Sequence, residues 1–171
     1  MAGHHHRRLS ASAGDPSTGG ALLLHLYELR TEGRLRRARE WFFGEFAPSN
    51  TADVLRTWLD PGPDSASYRM VTTYWEMAAA LVSVGAISAE LFHAANTEHV
   101  AVFAKLRAYL GALRETTGYP DYLASLEAVV CAMPDASRRI GLAERYLARQ
   151  GVRGPTQRAR PPTQPGRAAA M

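Results

Sequence analysis

The segment Ser65–Ser88, SASYRMVTTYWEMAAALVSVGAIS, limits what this chain can fold into more than any other part of it. Met70, Tyr74, Met77, Leu81 and Val84 follow a three/four spacing, and Val71, Trp75, Ala78 and Val82 follow a second one beside it. An apolar stripe that wide needs neighbours on two or more sides. It predicts the central helix, over about residues 65–84, of a helical bundle. Thr72, Glu76 and Ser83, with Ala79 and Ala80 between them, form the one polar strip. Such a pattern constrains architecture strongly and activity weakly.

The rest of the chain reads as further helices around that one. The first spans about Gly20 to Thr31, with Leu22, Leu23, Leu26 and Leu29 inward; Gly33 interrupts it. The second carries Leu35, Ala38, Phe42 and Phe46 on one face and stops before Pro48. Asn50 is an N-cap for a short third helix bearing Val54, Leu55, Trp58 and Leu59, which Asp60-Pro-Gly-Pro-Asp64 terminates. Ser65 or Ser67 is expected to cap the central helix, and Gly85 to close it. Ser88 caps a short helix with Leu91 and Phe92, and a longer one follows from about Asn96 to Thr116 with His99, Phe103, Leu106, Leu110 and Leu113 inward. Pro120 suits the first turn of the next, and a last helix places Ile140, Ala143, Tyr146 and Leu147 on its apolar side. No window alternates with period two. The prediction is an all-α, single-domain bundle of about six to eight helices.

Charge has to be divided along the chain before it means anything. The net +4 resides in the ends: residues 151–171 carry +4, residues 1–17 carry +1, and 18–150 carry −1. Both ends are poor in apolar mass, so 1–17 and the Pro-rich 151–171 are expected to be disordered tails around a domain at 18–150. His4–His6 are left out of fold reasoning. One cysteine, Cys131, precludes an intrachain disulfide; set among Val129, Val130 and Met133, it is expected to be a buried small hydrophobe. Nothing approaches the ~20 apolar residues needed to span a bilayer. Arg7-Arg8 before Ala21–Leu29 only faintly suggests an export signal, since Glu28 interrupts the run, and a cytoplasmic protein is expected. Arg supplies nineteen of the twenty basic residues, a bias typical of a GC-rich bacterial genome.

Few residues suggest chemistry. Glu90-Leu-Phe-His93 has the Glu-x-x-His spacing of di-iron bundles, but such a site needs a second copy and two more glutamates. Arg30, Arg34, Arg36, Arg37 and Arg39, beside Trp41, Phe42 and Phe43, are candidate phosphate contacts. Interleaved Glu32 and Glu40 favour instead a solvated face with Glu32–Arg36 and Arg36–Glu40 pairs. Glu76 is the structural polar candidate, with Arg107 or Arg114 as the expected cationic partner. No catalytic, cofactor-binding or metal-binding set is assigned.

From Leu35 to Met133, about 99 residues, the chain resembles an uncharacterised bacterial family of small helical proteins, a domain of unknown function. The resemblance is carried by Ala38-Arg39-Glu40-x-Phe42 and by Tyr74-Trp75-Glu76-x-x-Ala79-x-Leu81-Val82-x-x-Gly85-x-Ile87. Glu90-Leu91-Phe92, Arg114 and Tyr122-Leu123-x-x-Leu126-Glu127 continue it. Members commonly place a Trp in the helix after the Glu-Leu-Phe turn, where this chain has His99-Val-Ala-Val-Phe103. The resemblance implies a helical fold and no particular activity.

The leading functional expectation is a non-enzymatic interaction module that binds a protein partner or itself through an apolar face, with Trp41, Phe43, Trp58 and Tyr109 as the exposed patch. The alternative is a nucleic-acid-associated protein using the Arg30–Arg39 helix and the basic tail. A small enzyme or metal protein around Glu76 or Glu90/His93 comes third.

Overall fold

The computed structural model describes residues 16–152. Among them are α1 (Pro16–Thr31), α2 (Gly33–Gly44), α3 (Thr51–Leu59), α4 (Pro63–Ser83), α5 (Ala89–Ala95), α6 (Glu98–Leu106), α7 (Leu110–Thr117), α8 (Ala124–Cys131) and α9 (Ala136–Val152). The described residues form no strand, and the fold is all-α. The expected tails lie outside the described residues, except that 16–17 open α1 and 151–152 end α9.

The apolar girth of α4 is matched by its neighbours: it packs against α2, α3, α6 and α8. Tyr68, Val71, Trp75, Ala78 and Ala79 are wholly enclosed. Two of the expected inward positions are not. Met77 is 43 % exposed, beside a groove that Leu29 and Leu35 also line, and Val84, at the C-cap beyond the last turn, is 71 % exposed. Gly85 closes α4 as expected, with φ +76, and the bonds Ala86 N–H to Leu81 O and Gly85 N–H to Val82 O complete a Schellman motif. The start of α4 differs from the expectation. Pro63 occupies the first turn and neither serine caps it, because buried Ser65 donates its hydroxyl to Trp58 O at 2.7 Å. That bond ties the end of α3 to α4.

The caps expected at Asn50 and Ser88 are present, each side chain accepting from an N–H three residues on. The long helix expected over 96–116 is two helices, which takes the total to nine among the described residues. No Pro or Gly marks the break. Tyr109 makes it: its N–H turns back to Leu106 O and its hydroxyl donates to Pro48 O at 2.9 Å. Cys131 is exposed, at the last position of α8, and not the buried hydrophobe expected. In α9, Ile140 is buried while Tyr146 is more than half exposed, against expectation.

Candidate functional site

The inward-facing polar side chains are used to build the bundle. Arg39 on α2 meets Glu98 at the start of α6 through two parallel bonds, Nε to Oε1 at 2.6 Å and Nη2 to Oε2. The same Oε1 accepts from the Trp75 indole at 3.2 Å, and Arg39 also donates to Arg30 O at 3.3 Å. Hydrogen bonding to Glu98 raises the Arg39 pKa against the opposing effect of burial. Tyr74 donates to Leu26 O at 2.7 Å, which pins α1 to α4, and burial lifts its pKa to about 12. The hydroxyls of Tyr68 and Tyr122 lie 2.7 Å apart, and burial raises both, Tyr122 to about 12.

Glu76 is not paired with an arginine. Its two oxygens accept the N–H groups of Ser125 and Leu126, each at 2.9 Å. The reason is local to α8. Its N-cap residue is Leu123, at φ +55, which has no side-chain acceptor to offer the first turn. The carboxylate arrives from α4 instead and meets the positive end of the α8 dipole. The two expected partners are engaged elsewhere. Arg107 meets Glu144 on α9 at 2.7 Å, and Arg114 holds Tyr122 O and Glu127.

The five candidate arginines do not share a surface. Arg30 lies over the Tyr27 ring with its guanidinium near Asn96 Oδ1, and Arg39 is held by Glu98. Arg34, Arg36 and Arg37 are exposed. Among the described residues neither expected i,i+4 pair forms an ion pair: Glu32 is the N-cap of α2, accepting from Arg34 and Leu35 N–H at 2.7 and 3.2 Å. Arg36 and Arg39 do line an open cleft of about 770 Å³, shared with Glu98 of α6 and with Arg139 and Tyr146 of α9.

His93 does not pair with Glu90. Its Nδ1 lies 3.2 Å from Nε2 of His99, with the rings stacked 5.3 Å apart. His99 is fully buried against Trp75 and Phe92, and burial, with smaller contributions from His93 and Arg139, lowers its pKa to about 3. Its Nδ1 has no partner. A proton on Nε2, donated to His93, leaves only a lone pair unmatched there. No group of three or more His, Cys, Asp or Glu among the described residues could hold a metal ion. Lys105, the chain's one lysine, donates to Phe42 O at 2.6 Å beneath the Phe42, Phe43 and Phe46 rings, and burial lowers its pKa to about 8. Neither the histidine pair nor this lysine cap carries a sequence signature. Their members meet across a helix break and between separate helices.

The apolar surface lies elsewhere than expected. Trp41, Phe43, Trp58 and Tyr109 are half-buried and pack on the core. The uncovered large residues include Leu24 at 68 % and Tyr27 at 57 % exposure, with Leu29, on α1. Gly19 brings the start of α1 against the turn after α4, where a Cβ would stand 3.2 Å from Ala86 O. Leu26 seals the middle. Leu29 then borders a groove, of about 570 Å³, with Leu35, Met70 and Met77. No helix of the described residues is long and apolar enough to cross a membrane.

A family model described as Domain of unknown function (DUF4760) matches residues 16–133, from the start of α1 to just past α8. Helix α9 lies beyond the match. No curated protein and no solved structure matches the chain.

Proposed function

Because the chain belongs to the DUF4760 family, whose description assigns no function, its role has to be read from its own surfaces, and we propose a cytoplasmic, non-enzymatic bacterial interaction module that self-associates through α1. One observation carries the reading. Helix α1 carries large apolar residues on more than one side: Leu26 is buried and Leu22 and Leu23 pack on the core, while Leu24, Tyr27 and Leu29 are exposed. Leu24 and Tyr27 are more than half exposed, with the Arg30 guanidinium over one side of the Tyr27 ring, and Leu29 borders the groove with Leu35 and Met77.

A second copy suits this face. Two polar side chains on it, His25 and Glu28, lie 3.4 Å apart. A twofold axis passing between positions 26 and 27 sets His25 of one copy against Glu28 of the other, so an antiparallel pair can match polar groups as well as apolar ones. The strip is only about 24 Å long, short of the roughly 800 Å² per partner of a standard interface. Association in the micromolar range or weaker follows. Light scattering over a concentration series tests it: the mass should rise toward a dimer, and Leu24→Glu should abolish the rise without lowering thermal stability. A mass fixed at the monomer value at every concentration would remove the basis for the reading.

Nucleic-acid association is the second reading, favoured by the exposure of Arg34, Arg36 and Arg37 together. It predicts retention on DNA or RNA that falls steeply with salt. With Arg39 held by Glu98, and Arg30 over the Tyr27 ring beside Asn96, three of its five arginines stand exposed.

A further inference from the structure

We propose that the aromatic pocket between the C-terminal ends of α3 and α7 is a binding site for an extended Arg/Pro segment. Its occupant is this chain's own Arg158-Ala-Arg-Pro-Pro-Thr-Gln-Pro165. The surface is separate from the α1 face, and the inference does not depend on self-association.

The pocket, of about 770 Å³, is lined by Trp58, Leu59, Tyr119 and Tyr122, with Asp121 at its edge. Tyr122 stacks on Trp58, ring centroids 4.2 Å apart. Tyr119 stands off, at 6.5 Å and an angle of 41°, so that a wedge opens between it and Trp58. Tyr119 and Leu59 are 65 % and 63 % exposed, an uncovered apolar area at the end of the bundle. Among the described residues the Trp58 indole N–H has no acceptor, whereas the Trp75 indole has Glu98. Nor does the carboxylate at the pocket, exposed Asp121, have an ion-pair partner among them.

These three features describe one ligand chemistry. A wedge of aromatic faces takes a flat, rigid apolar ring. A free indole N–H takes a backbone carbonyl that no helix or sheet has claimed, and an unpaired carboxylate takes a guanidinium group. A polyproline-type strand with arginine supplies all three at little further loss of entropy, since its backbone is already extended and its carbonyls are free. In residues 158–165, Pro162 and Pro165 are one polyproline turn apart, and Arg158 and Arg160 precede them. The charges are complementary, because residues 151–171 carry +4 with no acid.

The segment can reach. Helix α9 runs beside α6 in the same direction: Arg139 shares the cleft with Thr97 and Glu98 at the α6 start, and Glu144 meets Arg107 just past its end. The chain therefore leaves α9 toward the end of the bundle where α7 begins. The pocket sits at the far end of α7, eight residues or about 12 Å further on. Residues 153–160 span up to about 26 Å when extended. A linker of that length gives an effective concentration on the order of millimolar, so a weak site would be mostly filled.

The test uses the full-length chain labelled with nitrogen-15 and the signals of its three tryptophan indoles, with Trp58→Phe assigning one of them. Changing Pro161, Pro162 and Pro165 together to alanine leaves the helices untouched. It should move the Trp58 signal and leave that of Trp75 in place. A synthetic peptide of residues 156–167 added to this variant should return the Trp58 signal toward its original position. Tyr119→Ala in the same background should weaken that return roughly threefold to tenfold. An identical Trp58 signal with and without the prolines would overturn the proposal. So would a wild-type signal that moves on dilution, which would place the tail of a second copy in the pocket.

Discussion

Replacing Glu76 with alanine strips the first turn of α8 of its only acceptor from outside the helix. Two charge-assisted bonds at 2.9 Å are lost, and the Leu126 N–H is left in a fully buried residue. Each such bond is worth about 1.5–3 kcal/mol when enclosed, but Glu76 is only half-buried and water can replace part of it. The loss of an ordinary N-cap is about 0.5–2 kcal/mol, with a few tenths more from the helix dipole. The combined expectation is about 2–3 kcal/mol, or a fall in melting temperature of about 6–10 °C for a domain of this size. Glu76→Gln retains one oxygen and should lose about half as much. Urea unfolding followed by far-UV circular dichroism measures both. Combining Glu76→Ala with Arg107→Ala should be additive, because Arg107 belongs to Glu144. A loss under about 0.5 kcal/mol for Glu76→Ala, or strong coupling to Arg107, would refute the capping role.

Three further outcomes follow from the interior. Arg39→Ala leaves the Glu98 carboxylate with the Trp75 indole but without its cation; since both charged groups are partly exposed, a loss of about 2–3 kcal/mol is expected in urea unfolding. Lys105→Met keeps the apolar stem and removes the donor to Phe42 O, which should lower stability by about 1–2 kcal/mol. His99 stays neutral in the fold down to about pH 3, while the unfolded chain takes a proton near pH 6.5. Its contribution is therefore complete above pH 6.5 and falls by about 1.4 kcal/mol per pH unit as pH drops from there toward 3. Urea midpoints between pH 7 and pH 4.5 should show that slope, and His99→Phe should flatten it.

Apolar periodicity made the central position of α4 legible, because its two adjacent stripes need helices on more than one side. Asn50, Ser88 and Gly85 were legible for another local reason: a cap or a left-handed turn is decided by one residue and its immediate neighbours. What could not be read is what distant segments do to each other. The break before α7 depends on the Tyr109 hydroxyl finding Pro48 O, far away in sequence. Glu76 stood out as an acid on a greasy helix, but its partners are two backbone N–H groups of the first turn of α8, left open because the N-cap residue, Leu123, has no side-chain acceptor. The residues that carry the family resemblance prove to be bonded to one another or to a shared neighbour. Arg39 and Trp75 meet at Glu98, Glu76 meets the turn after Leu123, and Arg114 meets Tyr122 and Glu127. A pattern of that kind preserves packing, which is why it led to the fold and not to an activity. On α1 the expected inward stripe is largely present: Leu26 is buried and Leu22 and Leu23 pack on the core, while Leu29, 38 % exposed, borders the groove with Leu35. The stripe did not reveal that Leu24 and Tyr27 also lie open, because periodicity says which residues face inward and not how much apolar surface is left outside.

Hydrogen–deuterium exchange on the full-length chain at low and high protein concentration tests the self-association of α1 most directly. The amides of α1 near Leu24 and Tyr27 should gain protection as concentration rises, while those of α4 stay constant. Exchange in α1 that is the same at both concentrations would contradict the account.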